Sequence, residues 1–400
     1  MPGLPRPRPL GLPREVLILS ASGFFVAVGF GVMVPVLPVF AQQFGVNTLQ
    51  IGLVISGFSL MRLVAGPFTG WIIRAIGERL AIALGMFWVG VTTAVAGAAT
   101  SYEGLLLWRA LSGIGSAVFT VAAISLLLSS VPMEKRGQAS GLYQGGFLLG
   151  GMAGPAIGGL LGAFSLAAPF YFYGASMLVA GVFILVMIRQ ARAGSVTGEL
   201  RKPRPMREVV RDVGYQAACV SGFGQGWQSF GARSALVPLL VVGSLGLTSN
   251  WTGIAFSIAA VAQSLALLPV GRAVDTVGRR PLMIAAGVIT GAATLTMPFA
   301  PNIWVLIGAL CVYGVGASMQ GTAPTAAVGD AARGGSGTPI AVFSMTTDLG
   351  AIMGPLIAGA IADTAWGMPG AFALGAAILF LGAVYASFMP RRLPSAPDAL

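Results

Sequence analysis

The fold is decided by residues 16–40, which read VLILSASGFFVAVGFGVMVPVLPVF and contain no charged side chain. An α-helix rises about 1.5 Å per residue, so about 20 apolar residues cross the roughly 30 Å hydrocarbon core of a bilayer. This stretch is therefore long enough for one crossing. Because no small-residue cleavage site and soluble domain follow it, we expect it to be retained as the first membrane helix.

Eleven further apolar stretches follow along the chain. Of its 400 residues, 56% are hydrophobic and 9% are charged, whereas soluble domains carry about 25% charged residues. Lipid must then be the solvent for much of the surface. The sequence predicts an all-α membrane protein of twelve transmembrane helices, at residues 16–40, 50–72, 80–99, 104–130, 138–163, 169–189, 213–240, 250–271, 281–300, 302–329, 339–362 and 368–389.

One loop is longer than the others and rich in basic residues. It covers residues 190–212, shows little apolar periodicity, and is interpreted as a solvated linker. The linker separates two six-helix halves, at residues 16–189 and 213–389. Short tails at 1–15 and 390–400 complete the predicted organisation.

The two halves repeat one another in sequence. Two six-helix repeats of the same topology predict a pseudo-two-fold axis along the membrane normal, and transporters bind substrate between such halves. A shift of 201 positions superimposes Gly52 on Gly253, Gly70 on Gly271, Gly77 on Gly278 and Arg79 on Arg280, and a shift of 200 superimposes Gly154-Pro155 on Gly354-Pro355.

The distribution of charge predicts the orientation. Of the 23 lysines and arginines, all except Arg62, Arg109 and Arg233 fall in segments on one side of the predicted membrane. The positive-inside rule makes that side cytoplasmic, with both termini, in a multi-pass protein of the inner or plasma membrane. The net charge of +11 then reflects topology and contact with anionic lipid, and no nucleic-acid partner is expected.

The composition also excludes several kinds of chemistry. The chain has no histidine, which removes histidine-based metal sites and Ser-His-Asp triads. Cys219 and Cys311 lie inside apolar segments and are interpreted as small buried side chains. We expect no metal, no cofactor and no enzymatic activity, and any protons must be carried by carboxylates.

The loop between predicted helices 8 and 9 reads GRAVDTVGRRP, residues 271–281. It resembles the G-x-x-x-D-x-x-G-R-R loop of the major facilitator superfamily, in which the glycines permit a tight turn and the arginines bond to helix ends. The corresponding loop in the first half has Arg74 at the aspartate position. By this resemblance the gate residues are Gly271, Asp275, Gly278, Arg279 and Arg280, with Gly70, Gly77 and Arg79 in the first half.

Three further motifs resemble those of twelve-helix drug/proton antiporters in that superfamily. The resemblance covers residues 16–389 and implies the major-facilitator fold of two pseudo-symmetric halves, multidrug efflux by antiport, and a monomer. For the glycines and prolines, close helix packing is the alternative role. The motifs are Gly29 with Pro35 and Pro38, Arg109 with Gly113 and Gly115, and Gly150 with Gly154, Pro155, Gly158 and Gly159.

Four charged residues lie inside predicted spans. Each costs roughly 2.5–3.5 kcal/mol or more near the bilayer centre, so each is expected to face a cavity or a partner. Asp348 is the only mid-membrane carboxylate, and Arg62 lies at a similar depth. In the fold implied by the resemblance, helices 2 and 11 face each other. We expect a pair of Arg62 with Asp348 that forms in one state, breaks in another and couples transport to protons; a permanent structural pair, or residues that never meet, are the alternatives.

The other two intramembrane arginines allow more than one role. By resemblance Arg109 takes part in proton coupling or substrate response; bonding to helix-end carbonyls is the alternative. Arg233, in the outer part of helix 7, attracts an anionic group or pairs with Asp363 or Glu103.

The predicted substrate cavity is apolar and aromatic with amide groups, which suits lipophilic solutes. Ordinary contact with lipid or a neighbouring helix is the alternative for each residue. One carboxylate against three arginines makes neutral or anionic compounds at least as plausible as cations. The candidate lining residues are Phe30, Met33, Tyr143, Gln144, Gln225, Trp227, Gln228, Arg233, Gln263, Tyr313 and Gln320.

The sequence thus predicts a secondary active transporter. The favoured function is efflux of lipophilic or amphipathic small molecules in exchange for protons, with the lipid bilayer, protons and the small-molecule substrate as partners. The alternative is export or import of a specific metabolite, such as a sugar, siderophore or lipid-linked compound, in the same fold.

Overall fold

The computed structural model of the chain describes residues 13–132, 135–188, 205–332 and 337–390. Every regular element within these ranges is helical. Most of the two predicted tails, residue 189 and residues 190–204 of the predicted linker lie outside them. The side chain of the predicted gate residue Asp275 is also outside the described part, although its backbone belongs to a helix.

Fifteen α-helices occur in the described ranges. Eleven of them are long and apolar enough to cross a membrane. The other four helices, α2, α8, α9 and α10, are shorter. The bounds are α1 Arg14–Met33, α2 Leu37–Gln42, α3 Thr48–Ile76, α4 Glu78–Gly97, α5 Tyr102–Ser129, α6 Arg136–Phe164, α7 Ala168–Met187, α8 Met206–Val210, α9 Val213–Gln225, α10 Arg233–Leu239, α11 Ser249–Thr276, α12 Arg279–Thr296, α13 Ile303–Ala332, α14 Gly337–Ala362 and α15 Gly367–Ser387.

The predicted seventh span is not one continuous α-helix, which corrects the expectation for residues 213–240. It continues to Ser244 as α9, a π-helix at Gly226–Ala232, α10, and a second π-helix at Leu240–Ser244. The first π-helix packs closely on α14. Gly226 has no space for a side chain there, since an added Cβ would overlap the carbonyl of Thr347. Wide π turns of this kind are frequent at functional sites.

The first span is also interrupted. Its helix α1 ends at Met33, Pro35 lies in a turn, and α2 begins at Leu37 with Pro38 in its first turn. Proline has no N–H to donate and fits the start of a helix better than its interior. The two prolines of the antiporter-like motif therefore shape this break.

Helix α6 packs on α1 through glycines spaced four residues apart. In lipid no hydrophobic force draws helices together, so small residues that let backbones approach supply the packing. A Cβ at any of these positions would overlap a backbone carbonyl of α1. The pairs are Gly146 with Ser20, Gly150 with Phe24, Gly154 with Val28 and Gly158 with Val32.

The bundle has two chemically distinct ends. One, which we call the basic end, contains the start of α1 and α4 and the end of α7, joined by hydrogen bonds from Arg14 to Met187 and from Arg79 to the carbonyl of Leu185. The opposite end, which we call the far end, contains the starts of α3 and α5, joined by a 3.0 Å hydrogen bond from Tyr102 Oη to the carbonyl of Gln50.

The two halves meet along two symmetry-related helix pairs, α3 with α14 and α6 with α11. At both contacts a glycine near the far end faces the proline of the other half: Gly52 lies against Pro355 and Gly253 against Pro155. The two glycines are 201 positions apart and the two prolines 200, which are the offsets of the sequence repeat. These four helices are the least buried of the described spans, which fits helices that border an opening between the halves.

We predict that Gly158→Val destabilises the protein by about 1–3 kcal/mol, because its side chain would overlap the carbonyl of Val32 and force the two helices apart. Gly151→Val is the matched control, since it lies on the same helix and a Cβ there has nothing within 4 Å. Thermal unfolding in detergent measures both variants. Equal melting temperatures would contradict the packing role of the α6 glycines.

Candidate functional site

An ion pair joins the two halves halfway along their closest helices. Arg62, in the middle of α3, pairs through Nη2 with Oδ1 of Asp348 on α14. The side chains are 38% and 20% exposed, so the pair borders an opening. The expected pairing of these residues is present; their role in proton coupling stays a prediction.

Cross-half hydrogen bonds run from the far end to this ion pair. Asp363, at the end of α14, accepts from the backbone N–H of Thr48 at 3.0 Å and of Leu49 at 2.8 Å, and so caps the N-terminus of α3. Ser56 donates to the carbonyl of Ile352 at 2.6 Å. Beyond Arg62, no described residue of α3 forms a hydrogen bond to the second half. The described hydrogen bonds that hold α3 to the second half therefore lie between the far end and the centre of the helix.

Arg109 is buried inside the first half. Its guanidinium lies 4.4 Å from the ring centre of Phe58, and Nη1 is 3.4 Å from Ser112 Oγ. Its Nε has no hydrogen-bond partner. The alternative of bonding to helix-end carbonyls is not observed among the described contacts of Arg109, since Phe58 and Ser112 hold it instead.

Arg233 begins α10, directly after the first π-helix. Its guanidinium lies between two aromatic rings, 5.1 Å from the centre of Phe256 and 5.0 Å from that of Tyr313. Of the two predicted roles of Arg233, the ion pair with Asp363 or Glu103 is not observed: Asp363 caps α3, and within the described structure no ion pair of Arg233 with Glu103 is found. Attraction of an anionic group stays a prediction. The ion pair does not form because the wider turns of the π-helix rotate Arg233 about the helix axis, toward α11 and α13.

The predicted lining residues occupy different surroundings. Phe30 is 37% exposed and packs against Phe58, with 6.4 Å between ring centres. Tyr313 is fully buried and exchanges a 2.7 Å hydrogen bond with Ser229. These residues lie around the two buried arginines. Gln144 is exposed, and Gln225 and Gln263 are half-buried.

Other predicted lining residues pack inside one half in this state. Met33 and Tyr143 belong to the core of the first half, and Tyr143 also packs on Phe147. The side chains of Trp227 and Gln228 face Gly375 of α15, and Gln320 approaches Gly224. Polar atoms of these last three side chains are buried without a partner.

The two gate loops share one backbone conformation. Gly77 and Gly278 precede α4 and α12 with φ of 81° and 98°, a region that glycine tolerates best. Arg79 donates to a carbonyl of α7. Arg279 donates to the carbonyl of Val274 at 3.3 Å.

The second loop adds an acidic partner that the motif did not predict. Arg279 Nε lies 3.0 Å from Oδ2 of Asp330, an ion pair without hydrogen-bond alignment. Among the described residues, Arg280 has no hydrogen bond or ion pair. A Cβ built on Gly271 has nothing within 4 Å, and one on Gly70 meets only an Arg74 nitrogen at 3.7 Å. A Cβ on Gly154 would meet α1, whereas Pro155 faces Gly253 of the other half.

Sequence reasoning missed the partners of the buried arginines. Phe58 and Phe256 are two of 22 phenylalanines, and nothing in their local sequence marks them as ring partners. Ser112 lies three residues after Arg109, a helical spacing that could have signalled contact. Ser229 lies within the π-helix, whose presence the sequence did not reveal.

A multi-pass helical bundle with an ion pair between two repeated halves is the architecture of a secondary transporter. The model of the Major Facilitator Superfamily matches residues 19–226 and 218–399. The chain belongs to this superfamily, whose members are transporters and not enzymes. The predicted fold, with six helices in each half, is confirmed.

Two proteins illustrate the similarity in sequence. An uncharacterized transporter of the same superfamily, MJ1560 of Methanocaldococcus jannaschii, is 24% identical over 358 residues, which is 88% of this chain and 92% of that protein. The quinolone resistance protein NorA of Staphylococcus aureus is 26% identical over 189 residues. That match spans about half of each protein, 46% of this chain and 48% of NorA.

Solved structures show the same fold. A bacterial homolog of the human lysosomal transporter Spinster, in an inward-facing and unoccupied conformation, matches with a TM-score of 0.74 and 16% identity over 93% of this chain and 94% of that one. Its inward-facing and occupied conformation gives a TM-score of 0.70 at 17% identity, with the same coverage. At these identities the likeness shows the fold alone.

We predict that Asp363→Ala favours separation of the halves at the far end. The variant removes the two carboxylate oxygens that accept from the N-terminus of α3, and roughly a fivefold shift toward the separated state is expected. Spin labels on Gln43→Cys and Trp366→Cys, one in each half, report the far-end distance after Cys219 and Cys311 are replaced by alanine.

Glu103→Ala is the control, since it removes a carboxylate of the same end for which the structure describes no hydrogen bond or ion pair. A distance distribution that shifts equally in both variants would show that net charge, and not the helix cap, governs the far end.

Proposed function

We propose that the protein exports lipophilic or amphipathic small molecules across the cell membrane in exchange for protons, by alternating access. The observation that carries this proposal is the Arg62–Asp348 ion pair, which joins the two halves at the point where their contact ends. A pair in that position links the charge of one carboxylate to the relative position of the halves.

The chemistry of the pair supplies a coupling mechanism. The Arg62 guanidinium stays protonated under all relevant conditions, so only Asp348 can change its charge. A proton on Asp348 removes its attraction to Arg62 and weakens the cross-half link. Release of the proton restores the pair and draws α3 and α14 together. Proton binding thereby favours one arrangement of the halves over the other.

The sequence relationship to NorA supports efflux as the direction. That protein is named for quinolone resistance, and the antiporter-like motifs at Gly29, Arg109 and Gly154 occur here in the predicted helices. The second candidate function, transport of a specific metabolite in either direction, is favoured by the limited span of the NorA match, which leaves about half of this chain without that relationship.

We further propose the orientation and the organisation that this function requires. The basic end faces the cytoplasm, so the structure is open to the inside of the cell and closed to the outside. The halves are residues 16–189 and 213–389, and the linker 190–212 and both tails are cytoplasmic. A monomer suffices, because both partners of the ion pair belong to one chain.

We predict that Asp348→Asn abolishes substrate-driven proton movement and leaves substrate binding in place. The amide has the size of the carboxylate and cannot release a proton at these pH values. The full chain is reconstituted in proteoliposomes with a pH-sensitive dye inside. A gradient of a quinolone, or of neutral, cationic or anionic amphiphiles, is then imposed.

Glu103→Gln is the matched control, which neutralises a carboxylate at the far end and is expected to behave as the unmodified protein. If Asp348→Asn still moves protons against the substrate gradient, Asp348 has a structural role and another group carries the proton.

A further inference from the structure

Arg233 is a half-buried cation without an acceptor among the described residues. No described residue accepts a hydrogen bond from its guanidinium or forms an ion pair with it, and its Nε is enclosed without a partner. Part of the side chain nevertheless remains open, since the residue is only half-buried. We propose that Arg233 binds the negatively charged group of the transported molecule, so that the substrate is an amphipathic organic anion.

The first step is the free-energy cost of placing the Arg233 charge inside the protein. A guanidinium cannot lose its proton to escape burial, and an isolated charge inside a membrane protein is costly. The rings of Phe256 and Tyr313 offset part of this cost through cation–π attraction. Both ring centres lie about 5 Å from the guanidinium carbon, at 5.1 and 5.0 Å. The rings do not supply the oxygen acceptors that guanidinium N–H donors bind, so this requirement is left to a ligand.

The second step is the balance of charge around Arg233. Asp348 is held by Arg62, and Asp363 is held by two N–H groups of α3. Neither carboxylate is therefore free to neutralise Arg233 in this state. Arg109 adds another positive charge within the spans and also lacks a carboxylate partner among the described residues. The interior therefore attracts anions and repels ammonium groups.

The third step separates Arg233 from Arg109. Arg109 is 3% exposed and lies near Ser112 Oγ, so a ligand has no access to it in this state. Arg233 is more open, and Val34 and Ile55 of the first half pack against the cluster that contains its two rings. The open cation therefore lies beside the junction of the halves, where a transported molecule binds.

The fourth step identifies the ligand chemistry. A planar guanidinium binds a carboxylate through two parallel hydrogen bonds. The neighbouring surface is aromatic and aliphatic, which suits an apolar body attached to that carboxylate. The hydroxyl groups of Ser229 and Tyr313, which are hydrogen-bonded to each other, add two polar groups to this surface. This inference rests on the proposed function and specifies its substrate class.

The test compares three ligands that share a naphthyl body and carry a carboxylate, a hydroxyl or an ammonium group. Binding to the full chain, purified in non-ionic detergent, is measured by calorimetry. The carboxylate is expected to bind at least tenfold more tightly than the alcohol, and the ammonium compound more weakly than either. In Arg233→Gln the preference for the carboxylate should disappear while the alcohol still binds, and Arg233→Lys should restore part of it.

Arg207→Gln is the control, because it removes an exposed arginine of the basic end and should keep the full preference. Retained binding of the alcohol to Arg233→Gln shows that this variant is folded. If it binds none of the ligands, Tyr313→Leu decides: it removes one ring and keeps the cation, so a surviving carboxylate preference supports the inference and its loss overturns it.

Two results overturn the inference in the unmodified protein: equal binding of all three ligands, or tighter binding of the ammonium compound. Proton movement in proteoliposomes is an independent readout. Proton exchange driven only by a neutral or cationic substrate would support the proposed antiport and overturn the inference that the substrate is an anion. Carboxylate binding that depends on Arg233, without any proton movement, would support the anionic substrate and overturn the proposed antiport.

Discussion

Close approach of helix backbones is the constraint on which the rest of this structure depends. Lipid supplies no force that draws apolar helices together, so the bundle relies on contact at short range. Glycines on α6 bring its backbone onto α1. Gly52 and Gly253 repeat such contact between the halves, each against a proline of the other half. A larger side chain at Gly52 would separate α3 from α14 and carry Arg62 away from Asp348.

The same packing decides where charge can be tolerated. Between closely packed helices there is little room for water, so each buried charge is stabilised only by the groups that the neighbouring helices present. Arg62 meets a carboxylate, Arg109 meets a ring and a hydroxyl, and Arg233 meets two rings. Of these three arginines, Arg62 alone has a carboxylate partner in the described structure. Of the other two, Arg233 is the less buried and therefore the more accessible to a ligand.

Depth along a helix could be predicted from the sequence, whereas rotation about its axis could not. Arg62 and Asp348 were expected at the same depth, and the superfamily resemblance placed their helices face to face. The loop motif predicts glycines in tight turns at Gly77 and Gly278, and both have positive φ.

Arg233 shows why the remainder could not be predicted. Its depth is as expected, but π turns precede it, and each residue added to a helical turn rotates the later part of the helix by about 100°. No local sequence pattern distinguishes such a bulge from a regular helix. The face to which Arg233 belongs, and hence its ring partners, therefore depended on the three-dimensional packing against α14.

The two proposals together determine the electrical character of transport. Export of one organic anion in exchange for one proton moves a negative charge out and a positive charge in, which is equivalent to two positive charges moving inward per cycle. Each charge gains about 2.3 kcal/mol per 100 mV of membrane potential. A potential that is negative inside would thus drive export of an anion even without a pH gradient, whereas a one-for-one exchange of a cation for a proton gains nothing from it. An interior in which arginines outnumber carboxylates suits an anionic substrate. Export of an anion is also the case in which the membrane potential drives one-for-one proton antiport more strongly than it does for a cation.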